Sequence, residues 1–329
     1  MTGKTMKAIV CNEFGPVENL AYKNIPVPEL KKAQVLVKVA AAGVNFPEGL
    51  LVQGLYQMKP AMPFVPGAEF SGIINKLGGG VSHLNIGQRV IGLSMLNGFA
   101  EQVAVDATHV LPIPEQISFE EAAGLVTAHA TAHHGLKQRA NLQPGETVLV
   151  TGAAGGTGLA AVQIAKAMGA KVIAVCSSEE KLQVAKDNGA DVLINYKDVD
   201  LKSHLKELTG GKGVDVVYEC VGGETFDVCA RNMAWNGRLL VVGFASGEIP
   251  KFAVNLALVK GFSVIGVFWG SFTQHQPKDF IDNMHELLSW YVKEDVKVVV
   301  DEVFPLANAA DAINKVLSRN VKGKVILKP

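Results

Sequence analysis

Residues 151–166 read TGAAGGTGLAAVQIAK and lie between the apolar run ETVLV and the strand-like KVIAVCSS. A strand, a turn dense in small residues and then a helix would aim backbone N–H groups at one point. The helix dipole there favours an anion. Against the phosphate-binding spacing G-x-G-x-x-G, the turn aligns as Ala153-x-Gly155-x-x-Gly158, with alanine in the first glycine place and an added Gly156. The match is imperfect, but the turn follows a strand, opens a helix and begins an alternating series, which is the context that gives such a spacing meaning. We read it as a pyrophosphate cradle for a dinucleotide.

The end of the next strand selects the dinucleotide. A carboxylate about 20 residues beyond the glycines would accept a ribose 2′-OH and repel a 2′-phosphate. Here the strand ends in Cys176, Ser177 and Ser178, with no carboxylate before Glu179. Lys181 supplies a cation, and Tyr196 in INYKD adds a hydroxyl after the third strand. Each hydrogen bond to a charged phosphate contributes about 1.5–3 kcal/mol, so two such contacts predict a preference for NADPH.

These residues need elements to hold them. Up to about Val126 the chain is a series of short β-rich runs such as QVLVKVAAAGV and FSGIINKLG, broken by Gly, Pro and Asn. This predicts a compact, mostly β domain of the partly closed barrel kind. From Glu146 to about Val267, six apolar strand candidates alternate with helical patterns, as in a doubly wound parallel sheet. The tail holds two helical stretches and a closing strand, KGKVILKP, and is expected to return to the first domain.

At 329 residues the chain exceeds what one hydrophobic core usually supports, consistent with two domains. The 31 Lys+Arg balance 31 Asp+Glu, which argues against a polyanion such as nucleic acid as partner. Four scattered cysteines without C-x-x-C pairs suggest neither a zinc ribbon nor a disulfide framework, and no apolar run is long enough to span a membrane. A cytoplasmic setting is expected.

The segments LVTGAAGGTGLAAVQIAK, AAGVNFPEGLLVQGLYQMKPAMPFVPGAEFSG, LQPGETVLV, FWG and GKVILKP together resemble the medium-chain dehydrogenase/reductases, and within them the zinc-independent NADPH:quinone oxidoreductases. The resemblance covers essentially the full chain. It implies a GroES-like substrate domain at 1–126 and 268–329, a Rossmann NADPH-binding domain at 127–267, an active cleft between them, and a homodimer. Asn45 and Thr131 match family positions near the nicotinamide and its ribose. Gly155, Gly156 and Thr157 match the pyrophosphate turn, and Ser177, Lys181 and Tyr196 the adenosine-phosphate end. Gly243, Phe244 and Lys324 match other cofactor-lining positions.

Two departures stand out. Zinc relatives carry Cys where this chain has Asn45, and a GHE whose His is replaced in Gly67-Ala68-Glu69. Without thiolate and imidazole, Glu69 alone is a poor zinc ligand, so no metal is expected. Many relatives also have Asp in the place of Glu48, which is therefore not assigned a role.

Without a metal, the expected chemistry is hydride transfer from NADPH to a quinone or activated alkene, the protein supplying orientation and electrostatics. A donor near the acceptor oxygen would help as charge develops. Tyr56 is the candidate, as proton donor or as an aromatic wall, and Asn45 more naturally orients the nicotinamide. The histidines at 129, 133 and 134 read as packing or solvent-facing rather than as ligands. Two alternatives remain beside quinone reduction: an enoyl or alkenal reductase, and an NADPH-binding sensor or crystallin-like protein with little turnover.

Overall fold

The computed structural model describes residues 4–329, which separate into two compact units, 4–127 with 298–329 and 128–297. The expected boundary at Val267 is displaced, because the helix Pro277–Val292 groups with the central unit. Its inward face explains this: Glu286 bonds His133 at 2.6 Å, Asn283 Nδ2 donates to Gln138 Oε1 at 3.0 Å, and the Trp290 ring meets His133 at 5.3 Å. Only the last part of the tail joins the first unit.

The first unit is built on a seven-stranded sheet. Its long strand Gln34–Val44 pairs antiparallel with Glu69–Leu77 on one side and with Lys324–Lys328 near its C-terminal end. The register sets Gly43 opposite both Glu69 and Ile326, and Val44 opposite Val325. Three strands distant in sequence thus bring Asn45, Glu69 and Lys324 to one end of the sheet. The core beneath is aliphatic and aromatic, with Val37, Phe70, Ile74 and Phe99 fully buried.

The second unit holds six parallel strands. In chain order they are β1 (Thr147–Thr151), β2 (Lys171–Cys176), β3 (Val192–Asn195), β4 (Val214–Glu219), β5 (Met233–Val241) and β6 (Ser263–Gly266). Their spatial order is β3-β2-β1-β4-β5-β6, the doubly wound arrangement whose ligands bind at the carboxyl ends of the strands where the order reverses. Near-continuous apolar strands such as Val148-Leu149-Val150 are fully buried, as helices on both faces require. The expected α/β fold class, a mostly β sheet domain beside a six-stranded Rossmann sheet, is what the chain adopts.

Candidate functional site

In the second unit the site begins where β1 leaves the sheet. Gly152 takes φ +60°, the left-handed conformation that glycine adopts at no steric cost, and its carbonyl accepts from Gly155 N–H at 3.0 Å. Helix α1 (Gly156–Ala167) then starts with Gly155 as its N-cap. A Cβ on Gly158 would lie 2.2 Å from the Gly152 carbonyl oxygen, so only glycine lets the helix pack this close to the turn. The working spacing is therefore Gly152-x-x-Gly155-x-x-Gly158. The tight-turn role that alignment gave to Ala153 falls one residue earlier, and Ala153 is a buried packing residue.

The first-turn N–H groups of α1, on Gly156 and Thr157, have no intrahelical acceptor and form the anion-facing end. The Thr157 hydroxyl is engaged elsewhere, 2.6 Å from the Tyr218 hydroxyl, which leaves its backbone N–H for an anion. Helix α2 (Glu179–Asp187) follows β2, with Ser178 as N-cap accepting from Lys181 N–H. Tyr196 N–H donates to the Cys176 carbonyl at 3.1 Å, and Asn195 pairs with Cys176 across β3 and β2. Ser177, Lys181 and Tyr196 thereby follow β2 and β3 at one edge of the sheet, with Tyr196 exposed and the other two half-buried.

Gly243 and Phe244 follow β5 at the same carboxyl edge, where Ala245 N–H reaches the Cys220 carbonyl at 3.1 Å. Sequence reasoning overlooked Glu219, the last residue of β4. It is fully buried, and its carboxylate accepts from Thr151 Oγ1 at 3.1 Å and from the N–H groups of Val221 and Gly222 at 3.0 Å. Burial raises its pKa while those donors oppose the rise. It fastens the turn after β4 beside the glycine turn after β1. A charge ending the apolar run VDVVYE was the available signal. Burial lifts the neighbouring thiols, Cys220 to about 12 and Cys176 to about 11, so both are poor nucleophiles.

In the first unit a charged cluster sits at the sheet end. Lys324, 3 % exposed, directs its ammonium to Glu69 Oε1 at 2.8 Å, to the Val44 carbonyl at 3.3 Å and to Asn45 Oδ1. Asn45 Nδ2 donates to Glu69 Oε1 at 2.7 Å, and Thr127 N–H donates to Glu69 Oε2 at 2.6 Å. Both ends of the Asn45 carboxamide are therefore held. The three ammonium hydrogens of Lys324 also meet three protein acceptors, so what it offers a cofactor is its aliphatic stem. Gly43 makes room: a Cβ there would stand 2.2 Å from Glu69 Oε1.

Glu48 belongs to the same cluster. The short helix Phe46–Val52 carries it in the first turn, buried, with Oε2 accepting from Asn45 N–H at 3.0 Å and Oε1 from Ala68 N–H at 3.3 Å. Burial and the Glu69 charge lift its pKa to about 7, against the pull of Lys324 and the backbone donors. Tyr56, half-buried beyond that helix, has its pKa raised by burial and then by the Glu48 charge. Thr131 lies half-buried on the helix Phe119–His133.

The histidines serve separate partners. His133 bonds Glu286 at 2.6 Å, and His134 bonds Gln138 at 2.6 Å and stacks on Phe272 at 3.9 Å. Among the described residues, no group of three His, Cys, Asp or Glu is arranged to hold a metal.

A sheet ordered 3-2-1-4-5-6 with a glycine turn at its switch point defines a Rossmann-type dinucleotide-binding protein with a second, mostly β unit. Residues 31–115 match the alcohol dehydrogenase GroES-like domain family, and residues 156–290 the zinc-binding dehydrogenase family. The chain is 40% identical to quinone oxidoreductase-like protein 2 homolog of Nematostella vectensis, over 98% of this chain and 89% of that protein. Quinone oxidoreductase of Escherichia coli, solved in complex with NADPH, superposes with a TM-score of 0.91 at 31% identity, covering 98% of this chain and 100% of the other. CurK enoyl reductase superposes with a TM-score of 0.90 at 28% identity, covering 99% of each. The chain belongs to the medium-chain dehydrogenase/reductase superfamily, among its quinone oxidoreductases.

The side chains at this sheet end do not supply a zinc ligand set, although one matched family carries zinc in its name. Asn45 is an amide, Ala68 has no donor, and the Glu69 carboxylate is already bound to an ammonium, an amide and a backbone N–H. Those residues do not fit a zinc ion.

Proposed function

We propose that this protein is a zinc-independent NADPH:quinone oxidoreductase acting on small quinones. The observation that carries the cofactor is the carboxyl edge of the second unit's sheet, where Ser177 and Lys181 follow β2 and Tyr196 follows β3, and where β2 itself ends in Cys176 and not in a carboxylate. Gly156 and Thr157 would hold the pyrophosphate through their backbone N–H groups, with Gly155 shaping the turn as the helix N-cap. Thr131, Gly243, Phe244 and the Lys324 stem line the rest of the cofactor. NADPH, when bound, supplies the hydride.

The chain's own residues supply position and protons. Asn45, its carboxamide fixed by Lys324 and Glu69, orients the nicotinamide, and the Tyr56 phenol donates a hydrogen bond or proton to the acceptor oxygen as negative charge grows there. The test is NADPH oxidation with 1,4-benzoquinone, 9,10-phenanthrenequinone and an enal, run beside an NADH series and with a metal chelator. Chelator-insensitive, NADPH-selective turnover of the quinones supports the reading. Tight NADPH binding without turnover of any acceptor would replace it with a sensor or crystallin-like role.

A second reading, reduction of α,β-unsaturated carbonyls, is favoured by the half-buried Tyr56 phenol and by the likeness to CurK enoyl reductase. Loss of enal reduction in Tyr56→Phe with quinone reduction retained would separate the two chemistries at that residue.

We also propose a cytoplasmic homodimer, with no nucleic acid or membrane as partner. Its four cysteines are free, and no helix among the described residues is long and apolar enough to cross a membrane. In the second unit β6 ends the sheet with an unpaired edge, and the adjoining Val254, Leu258 and Val259 are exposed, Leu258 at 82 %. An edge strand flanked by bare apolar side chains suits pairing with a second copy. Sedimentation of Leu258→Glu against the native chain tests this, a monomeric native chain being the contrary result.

A further inference from the structure

Two hydroxyls beside the glycine turn can share their hydrogens in only one satisfactory way. Tyr218, on β4, is fully buried, and its hydroxyl stands 2.6 Å from Thr157 Oγ1. Thr157 Oγ1 also donates to the Ala128 carbonyl, at 3.4 Å. A threonine hydroxyl carries one hydrogen, so if Thr157 gives it to Ala128, the Tyr218 O–H donates to Thr157. The opposite order would bury the phenol hydrogen without an acceptor among the described residues, which is costly. Burial also raises the Tyr218 pKa, so the phenol keeps its hydrogen for this bond.

These two hydrogen bonds join three elements of the second unit. Tyr218 comes from β4, Thr157 from the first turn of α1, and Ala128 from the helix Phe119–His133, less than one turn before Thr131. The phenol ring also packs against the continuation of that helix, where a Cβ on Gly135 would stand 3.2 Å from it. There the helix loosens to π geometry over His134–Arg139, a change common at functional sites.

We propose that Tyr218 is a positioning residue for the bound dinucleotide: it holds the Thr157 hydroxyl toward Ala128, which keeps the backbone N–H groups of α1 free for the pyrophosphate. The inference rests on the NADPH reading above. Tyr218 is buried too deeply to meet the cofactor and acts through Thr157. A threonine hydroxyl that is not held elsewhere competes for its own and neighbouring backbone groups. In the first turn of α1 those are the N–H groups of Gly156 and Thr157, the ones an anion needs. Loss of the phenol hydroxyl therefore releases a competitor. Replacing both hydroxyls by apolar groups of similar shape removes the competitor itself and leaves no buried donor unpaired.

The experiment measures binding to the full chain by calorimetry, with NADPH, NADH and adenosine 2′-monophosphate as probes. The last carries the 2′-phosphate and no pyrophosphate. In Tyr218→Phe the affinities for NADPH and NADH should each fall roughly tenfold, while that for adenosine 2′-monophosphate stays at the native value. Tyr218→Phe combined with Thr157→Val should recover most of both losses, a non-additivity expected only where the two side chains act as one unit.

Unchanged NADPH affinity in Tyr218→Phe overturns the proposal and leaves the cofactor reading intact. Equal losses for all three probes also overturn it, since they would make Tyr218 a support of the whole unit and not of the pyrophosphate turn. A double variant as weak as Tyr218→Phe overturns it too, because the phenol would then act by a route other than Thr157. A native chain that binds neither dinucleotide overturns the cofactor reading and this inference together. If Tyr218→Phe does not fold, the double variant decides alone: NADPH affinity near the native value supports the proposal, and a tenfold loss counts against it.

Discussion

The glycine turn of the second unit and the charged cluster of the first work by opposite means. At the turn, recognition comes from side chains that are missing, because Gly152, Gly155 and Gly158 let backbone N–H groups and a helix end approach an anion. At the cluster, everything depends on side chains that are present, buried and charged: Lys324 against Glu69, with Asn45 between them and Glu48 beside. A site made of backbone responds to volume and hardly to pH. A site made of buried charges responds to charge and to pH, and tolerates little truncation. The contrast can be broken by substitutions that exchange these sensitivities.

The largest expected effect is Lys324→Met. It removes the buried cation bound to Glu69 and should destabilise the first unit by about 3–5 kcal/mol, since the partner is left as an uncompensated charge. Denaturant unfolding checks this, and Lys324→Met combined with Glu69→Gln should recover much of the loss. If the single variant is as stable as the native chain, the ion pair is not holding this sheet end.

Glu48→Gln comes next, and its sign changes with pH. The folded-state pKa, about 7, lies above the ordinary carboxyl value, so the folded chain binds the Glu48 proton more tightly than the unfolded chain does. Native stability contributed by this group is greatest below the unfolded value and falls as pH rises from there to about 7. The displacement corresponds to about 3 kcal/mol at most. The glutamine variant lacks this dependence, so its melting temperature relative to the native chain should rise between about pH 5 and about pH 8. A constant difference across that range would show that Glu48 is ionised throughout.

How much of this was legible in the sequence differs between the two regions for the same physical reason. The turn is local: Gly155, Gly156, Thr157, Ser177 and Lys181 lie within about one βα repeat, and period and spacing placed them. Only the shift from Ala153 to Gly152 escaped, because it depends on which residue takes the left-handed conformation. The cluster is assembled by sheet register across some 280 residues, from Asn45 to Lys324. No periodicity reveals that three strand ends coincide. Family resemblance reached Asn45 and Lys324 but did not place Glu48 beside them, and the boundary after Val267 failed because the contacts of Asn283, Glu286 and Trp290 are tertiary.

The volume-sensitive side of the contrast is tested by Gly158→Ala. A methyl 2.2 Å from the Gly152 carbonyl oxygen must displace backbone and not a flexible side chain, so about 1–3 kcal/mol of stability should be lost with little dependence on pH. NADPH affinity should fall with it, because α1 can no longer seat its first turn against Gly152.

The smallest effect is expected at Lys181, where the second unit does use a charge. This side chain is half-buried on the first turn of α2, in a region open enough for solvent to weaken any ion pair. Lys181→Ala should leave stability unchanged within about 0.5 kcal/mol. It should lower NADPH affinity roughly tenfold while leaving NADH affinity almost untouched, since only the former carries the 2′-phosphate. Calorimetric titration with both nucleotides measures the ratio, and the NADPH effect should shrink as salt is raised. Equal losses for the two nucleotides would instead assign Lys181 to the general shape of the α2 end, and would move the source of selectivity to Ser177 and Tyr196.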